Sequence, residues 1–300
     1  MNETSSIELR AKWCAPSDRY GWTAVLRNTT PYVLLIAVAP LLHQQWALAP
    51  WLLSPLIGLF AYRMTIVMHD CTHRTLFADP DLNVRVGKTL GAVAGIDFDR
   101  FSTQHWRHHR NYGAPEDPQG FHYANLRAMT RAEALWHMTK PLLGLNLRHT
   151  WSESFLHLRN LAHTIPNGEI LLLAGMQTLI AAIVTSGGRE SVLVLLPFVS
   201  TATFGLFFSQ LRGVAEHATL RTMEAGHVRS HAPHWLDRIL LYDLNFNLHE
   251  EHHRYPQCSS CHLPAVHQAL CAAGGKLPRS MFRTIASILL TPRASSHGQS

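Results

Sequence analysis

Histidines recur in this chain in short, regularly spaced groups, and 21 of its 300 residues are histidine. Three groups keep spacings of three or four residues: His69 with His73, His105 with His108 and His109, and His249 with His252 and His253. On a helix, residues at these spacings share one face. Neutral imidazoles that share a face are typical ligands of a metal ion.

A ninth candidate ligand, His217, follows Glu216 and stands apart from the three groups. Nine imidazoles exceed the four ligands of a tetrahedral zinc site, in which cysteine is also common. This number suits two metal ions that keep positions open for a reactant. Imidazole binds zinc, copper, iron and nickel, so the ligand type alone leaves the metal open.

Long apolar segments must position these histidines. Residues 32–68 are almost continuously apolar, with one break at 43–45, and two further apolar runs follow at 170–185 and 192–211. A transmembrane helix needs about 20 such residues. We therefore expect four crossings, at roughly 25–43, 46–67, 170–185 and 192–211, paired as two hairpins.

The basic residues indicate the sidedness of these hairpins. Two hairpins return the chain each time to the side it left, and Arg189 lies in the turn between the third and fourth crossings. Most other Lys and Arg residues lie before, between or after the hairpins, which the positive-inside rule assigns to the cytoplasm. We predict an all-α, multi-pass integral membrane protein with a cytoplasmic helical cap that holds the histidines. Its domains would be a cytoplasmic tail (1–24), a membrane domain (25–275) and a C-terminal tail (276–300).

Composition excludes several other classes. The net charge of +6 does not indicate nucleic-acid binding, because the basic residues follow membrane sidedness. Five cysteines are too few and too scattered for a disulfide framework. The segment 258–262 has the spacing of a c-type haem attachment site, but a cytoplasmic position favours a surface pair of thiols, Cys258 and Cys261. Residues 1–20 contain no apolar segment typical of a signal peptide.

The position of the ligands suggests their chemistry. The first group begins directly after the second crossing, and His217 follows the fourth. A substrate that enters from the bilayer would meet the metals there, and such a substrate is expected to be an alkyl chain. Its C–H bonds are not acidic, so an oxygen-activating metal is required. This argument favours iron and dioxygen over zinc and water.

The histidine groups resemble the boxes of the membrane fatty acid desaturase superfamily. Residues 69–73 match His-x3-His, and residues 105–109 and 249–253 both match His-x2-His-His. His217 matches the extra histidine near the end of the fourth helix. Further matches are Asp117-Pro118, Tyr255-Pro256 and Leu263-Pro264, which many members also have. The resemblance extends from about residue 30 to residue 270.

This resemblance implies two iron ions held by the nine histidines, with O2 as co-substrate. It implies O2-dependent desaturation of a fatty acyl or lipid-like chain in the bilayer. No cytochrome or ferredoxin domain is fused to the chain, so we expect a separate electron donor of the ferredoxin or cytochrome b5 type. Gly213 stands where some acyl-CoA members have asparagine, so the detailed ligand shell is not implied.

Several alternatives remain at this point. The same di-iron centre could hydroxylate or ketolate a hydrophobic substrate. A histidine-rich metal transporter is less favoured, because transporters place ligands near the bilayer midplane and the apolar runs contain only His43, at a turn.

Other polar residues near the groups are open to two interpretations. Three carboxylates could orient the ligands as hydrogen-bond acceptors or could be solvated helix charges: Asp70, Glu250 and Glu251. A further series at i, i+4 and i+7 is interrupted by Pro233, so it predicts surface residues: His227, His231 and His234.

Overall fold

A computed structural model describes residues 15–120, 126, 129–147, 168–185, 191–218, 228–271 and 279–290. All regular elements in these ranges are helical, which confirms the all-α prediction. We number the α-helices in chain order: α1 Asp18–Gln45, α2 Ser54–Thr72, α3 Pro80–Ala94, α4 Phe98–Asn111, α5 Arg131–Thr139, α6 Gly168–Thr185, α7 Leu195–Ser200, α8 Leu206–His217, α9 Trp235–Leu240, α10 His249–Arg254, α11 Leu263–Cys271 and α12 Met281–Leu290. Short 3₁₀ segments span Ala49–Leu53, Lys140–Leu143, Ser191–Val194 and Ser260–His262, and a π turn at Thr201–Gly205 joins α7 to α8.

Four helices are long and apolar enough to cross a membrane, as predicted. They span Asp18–Gln45, Ala49–Thr72, Gly168–Thr185 and Val192–His217. The second of these ends one residue before His73, and the fourth ends at His217. Two of these four helices therefore end at or next to a candidate ligand histidine.

The observed helices extend beyond the predicted crossings at both chain ends. α1 begins at Asp18, inside the segment predicted as an N-terminal tail, because the Ser17 hydroxyl caps it by accepting from the Tyr20 N–H at 3.4 Å. α12 lies inside the predicted C-terminal tail and buries Met281 and Ile285 in the core. The division into domains stays a prediction.

The start of α4 is fixed from two sides, which positions the histidines of residues 105–109. Asp97 caps α4 by accepting from the Arg100 N–H at 2.9 Å. Glu169, at the start of α6, accepts from the N–H groups of Phe98 and Asp99 at 2.8 and 3.3 Å. A carboxylate is favoured there because the N-terminal end of a helix carries positive partial charge.

A buried ionic network ties the first two spans to the segment before α10. Asp243 accepts from Arg63 of α2 and from Asn28 of α1, both at 2.8 Å, and it also pairs with Arg27. Arg63 Nε donates to Asn28 Oδ1 at 2.7 Å. The single carboxylate of Asp243 thereby pairs with two arginines of the apolar spans and anchors the chain that leads into α10. Sequence periodicity carried no signal for this pairing.

Gly58 allows α2 and the π turn to touch through their backbones. A Cβ at Gly58 would stand 2.5 Å from the Ser200 oxygen, 2.6 Å from Phe204 Cβ and 2.8 Å from the Gly205 nitrogen. Two of these three atoms belong to backbone, which cannot move aside without shifting a helix. The contact therefore fixes the depth of α2 relative to α8, and these spans carry His69 and His217.

Gly58→Ala should destabilise the protein by about 1–3 kcal/mol, because the added methyl forces the two spans apart. The measurement is thermal unfolding of the detergent-solubilised chain, monitored by size-exclusion chromatography. Gly175→Ala is the matched control, because a Cβ at Gly175 in α6 meets nothing within 4 Å. Equal melting temperatures for the two variants would contradict the close approach at Gly58.

Candidate metal centre

The nine predicted histidines converge into two adjacent groups. The first group consists of His69, His73, His105, His109 and His252, and the second of His108, His217, His249 and His253. Within each group, one ring nitrogen per residue lies within 4.8 Å of all the others. Four separate helices and the residue after α2 contribute to the two groups, so segments far apart in sequence meet at one place.

Helix geometry explains how one helix serves both groups. Successive residues turn by about 100°, so i+4 lies about 40° past i, whereas i+3 lies about 60° before it. On α4, His105 and His109 therefore enter the first group and His108 enters the second. On α10 the assignment is reversed: His249 and His253 enter the second group, and His252 enters the first.

The ring nitrogens of the first group stand at the spacing of ligands around one ion. The Nε2 atoms of His73 and His105 lie 2.9 Å apart, and those of His105 and His109 also lie 2.9 Å apart. His252 Nε2 lies 3.2 Å from His109 Nε2. Two nitrogens bound at right angles with a bond length of about 2.1 Å would stand about 3.0 Å apart.

The second group has the same spacing. His249 Nε2 lies 2.9 Å from His217 Nε2 and 3.1 Å from His253 Nε2. The rings of the two groups also touch each other, because the His109 and His253 rings stack with centroids 4.3 Å apart. Two ions held by these groups would therefore be neighbours.

Burial favours the neutral forms of His105, His109 and His252. It lowers the pKa of His105 and of His252 well below the ordinary range, and the neighbouring histidines lower both further. Burial, with a smaller contribution from His108, lowers the pKa of His109 to about 3. A neutral imidazole keeps a lone pair, which a metal ligand requires.

Several ring nitrogens in the centre are buried and have no hydrogen-bond partner among the described residues. They include both nitrogens of His69 and the Nδ1 atoms of His73, His249 and His253. A buried polar atom without a partner costs about 1–3 kcal/mol. A cation bound to His69 would satisfy one of these atoms, so the donor set fits metal ions.

Asp117 fixes the orientation of His108. His108 Nδ1 lies 3.0 and 2.9 Å from the two Asp117 oxygens, and both side chains are buried. A carboxylate only accepts, so Nδ1 carries a proton, which leaves Nε2 as the nitrogen available to an ion. Asp117 Oδ1 is itself held by the Gln119 N–H at 2.8 Å.

Glu216 stands beside the second group. Its Oε2 lies 3.4 Å from His249 Nε2, and its Oε1 accepts from Arg212 Nε at 2.7 Å. Sequence reasoning noted Asp117 and Glu216 only as parts of motifs and missed both contacts. Asp117 is nine residues from His108, in the turn after α4, so no helical spacing could have revealed its role.

The three carboxylates that were candidate orienting groups bond elsewhere. Asp70 accepts from the Ser260 hydroxyl, and Glu250 pairs with Arg254 at 2.6 Å. Glu251 contacts Ser230 and His267. These partners are groups other than the nine histidines.

Two surface predictions are wrong. His231 is fully buried, because its backbone N–H donates to the Asn247 carbonyl at 2.6 Å and its own carbonyl accepts from the Asn247 amide at 2.8 Å. His234 is exposed as predicted, and residue 227 lies outside the described residues. Cys258 is also buried, whereas Cys261 is partly exposed, so the two thiols do not form a surface pair.

Comparison with known proteins confirms the family predicted from the histidine spacing. Residues 45–284 match the sequence model of the fatty acid desaturase family. An omega-3 fatty acid desaturase of the chloroplast from Brassica napus is 30% identical over 105 residues, which cover 32% of this chain and 25% of that protein. The temperature-sensitive sn-2 acyl-lipid omega-3 desaturase (ferredoxin) of the chloroplast from Arabidopsis thaliana is 30% identical over 91 residues, covering 27% of this chain and 21% of that protein.

The matches to these two relatives span a quarter or less of the relatives' own length. The family match is broader, since it covers most of the chain and contains all nine histidines of the two groups. The chain therefore belongs to the fatty acid desaturase family, which implies an oxidoreductase.

Proposed function

We propose that this protein is a membrane desaturase that uses two iron ions and O2 to introduce a double bond into a fatty acyl or lipid-like chain. The observation that carries the proposal is the convergence of nine imidazoles into two groups with ligand-like spacing. Iron held there would supply the oxygen-activating redox chemistry that unactivated C–H bonds require. Zinc explains the site less well, because a tetrahedral zinc site needs only four ligands.

We assign one iron to the first group and the other to the second. The residues around the ions have distinct tasks in this assignment. Asp117 holds His108 in the tautomer that presents Nε2, and the Arg212–Glu216 pair keeps a carboxylate beside His249. Burial excludes water from most of the ligand rings and favours the neutral forms of His105, His109 and His252, so these ligands need not lose protons before they bind.

The proposed topology places both groups on the cytoplasmic side. α1 and α2 form one hairpin, and α6 with α7–α8 forms the other, so that the polar segments fold as a cytoplasmic cap. Support comes from His73 directly after α2 and His217 at the end of α8, which place ligands at the same end of two spans. We retain the domain division 1–24, 25–275 and 276–300.

The proposed substrate is an aliphatic chain that enters from the bilayer, and the proposed electron donor is a separate protein of the ferredoxin or cytochrome b5 type. The names of the chloroplast relatives support an acyl-lipid substrate, and one of those names includes ferredoxin. Hydroxylation or ketolation would use the same centre and remains an outcome of the test below.

Expression in a host that supplies ferredoxin and its reductase should yield lipids whose acyl chains have lost two hydrogens. Mass spectrometry of the extracted lipids measures this change directly. A gain of one oxygen would instead identify a hydroxylase. If an iron-loaded, correctly inserted protein altered no lipid, that result would contradict the proposed reaction.

His109→Ala and His253→Ala should each abolish product formation and lower the bound iron, because each variant removes one ligand from a different group. Membrane insertion should be unchanged, since neither residue lies in a span. The matched control is His234→Ala, an exposed histidine outside both groups. Full activity and full iron content in either ligand variant would refute the assignment.

Asp117→Asn should weaken iron binding about 10–100-fold, because the amide no longer fixes the His108 tautomer by charge. Iron retention during dialysis against a graded chelator series measures the effect without depending on turnover. Asp81→Asn, at an exposed carboxylate in α3, is the control. Equal retention in the two variants would show that Asp117 does not orient a ligand.

A further inference from the structure

Two aromatic side chains extend from the metal centre to the surface. The Trp106 ring centroid lies 4.8 Å from that of His73 in the first group, and Trp106 is 38% exposed. The Tyr112 ring centroid lies 5.2 Å from that of His253 in the second group, and Tyr112 is 42% exposed. Each histidine group therefore touches one exposed aromatic ring.

Several exposed arginines are close in sequence to these rings or to the histidines that the rings contact. Arg107 and Arg110 lie on α4 next to Trp106, and Arg110 Nε donates to the Trp106 carbonyl at 3.2 Å. Arg74 directly follows His73, and the side chain of Arg254, which follows His253, is 58% exposed. His73 contacts Trp106 and His253 contacts Tyr112, so we group the two rings with the neighbouring arginines and call this set the arginine face: Trp106, Tyr112, Arg74, Arg107, Arg110 and Arg254.

Charge on the arginine face is predominantly positive. Among the described residues, the exposed acidic groups within six residues of its members are Asp79, Glu116 and Glu250. Asp79 pairs with Arg85 at 3.0 Å and Glu250 with Arg254 at 2.6 Å. Charged side chains of this kind face water rather than the apolar part of a bilayer. The arginine face is therefore open to a partner that approaches from solution.

We propose that the arginine face docks an acidic one-electron carrier protein, and that Trp106 and Tyr112 shorten the path of its electrons to the two histidine groups. This inference rests on the proposed function, which consumes two electrons per turnover. With iron held by the two histidine groups, each docking event would oxidise the reduced carrier by one electron and pass that electron to the centre. Two events supply the two electrons.

Physical arguments favour a protein carrier over an anionic membrane surface. Complementary charge raises the rate of encounter and orients the partners. Electron tunnelling slows steeply with the gap between donor and acceptor, so a carrier must place its redox group near the buried ligands. The exposed rings that touch His73 and His253 belong to the arginine face, which suits electron transfer from a docked carrier.

The first test measures docking with a charge-reversed variant. The probe is plant-type [2Fe–2S] ferredoxin, added in its oxidised form to the full chain in nanodiscs. Arg107→Glu combined with Arg110→Glu should lower the association rate about 10-fold or more at low salt, with the difference shrinking as salt rises. Arg85→Glu is the control, because Arg85 is 65% exposed on α3 and lies outside the arginine face.

An association rate for the double variant equal to that of Arg85→Glu would overturn the docking site. The same double variant is tested against phosphatidylserine vesicles. Loss of vesicle binding without loss of ferredoxin binding would assign the arginines to the membrane and also overturn the proposal.

The second test separates electron transfer from docking. At saturating reduced ferredoxin, where a change in affinity does not alter the measured rate, Trp106→Leu should slow reduction of the iron-loaded chain several-fold in stopped-flow measurements. Trp106→Phe keeps an aromatic ring over His73 and should restore most of the rate. Reduction by dithionite should be the same in all three proteins. A wild-type rate in Trp106→Leu would overturn the role of the ring.

Failure of this inference differs from failure of the proposed function. If the variants hold iron, accept electrons from dithionite and form product, but ferredoxin distinguishes none of them, the arginine face is not the docking site and the desaturase proposal stands. If the wild-type chain holds no iron, the desaturase proposal itself fails.

Discussion

The crowding of buried, neutral imidazoles is the constraint on which the rest of this structure depends. Rings such as His73, His105 and His109 place their Nε2 atoms about one ligand-to-ligand spacing apart. Desolvation disfavours their protonated forms, and each added charge would repel the next. The arrangement leaves ring nitrogens of His69 without a hydrogen-bond partner. A cation bound by these rings would satisfy one of the His69 nitrogens. The crowding of the rings therefore accounts both for their spacing and for their capacity to bind metal ions.

The surrounding fold holds these rings at the correct depth through a few specific contacts. Gly58 lets α2 approach the π turn, Glu169 fixes the start of α4, and Asp243 anchors the chain that leads into α10. Each contact acts on an element that carries ligands. Their common feature is a polar or backbone interaction inside an otherwise apolar helical core. The low dielectric there makes a polar group without its partner costly.

Sequence analysis found the histidines of the two groups because helical periodicity is a local property. The i, i+3 and i+4 spacing identified the shared faces of α4 and α10 before any tertiary contact was known. It did not separate His108 from His105 and His109, since that split depends on where the other segments that carry histidines lie relative to α4. Asp117, Glu216 and the burial of His231 were also beyond reach, because each depends on contacts between segments that have no fixed spacing.

Anomalous X-ray scattering at the iron edge, recorded on crystals of the iron-loaded protein, tests the central claim most directly. The account predicts two adjacent peaks, one among the Nε2 atoms of the first group and one among those of the second. A single peak shared by both groups, or iron bound away from these histidines, would contradict it.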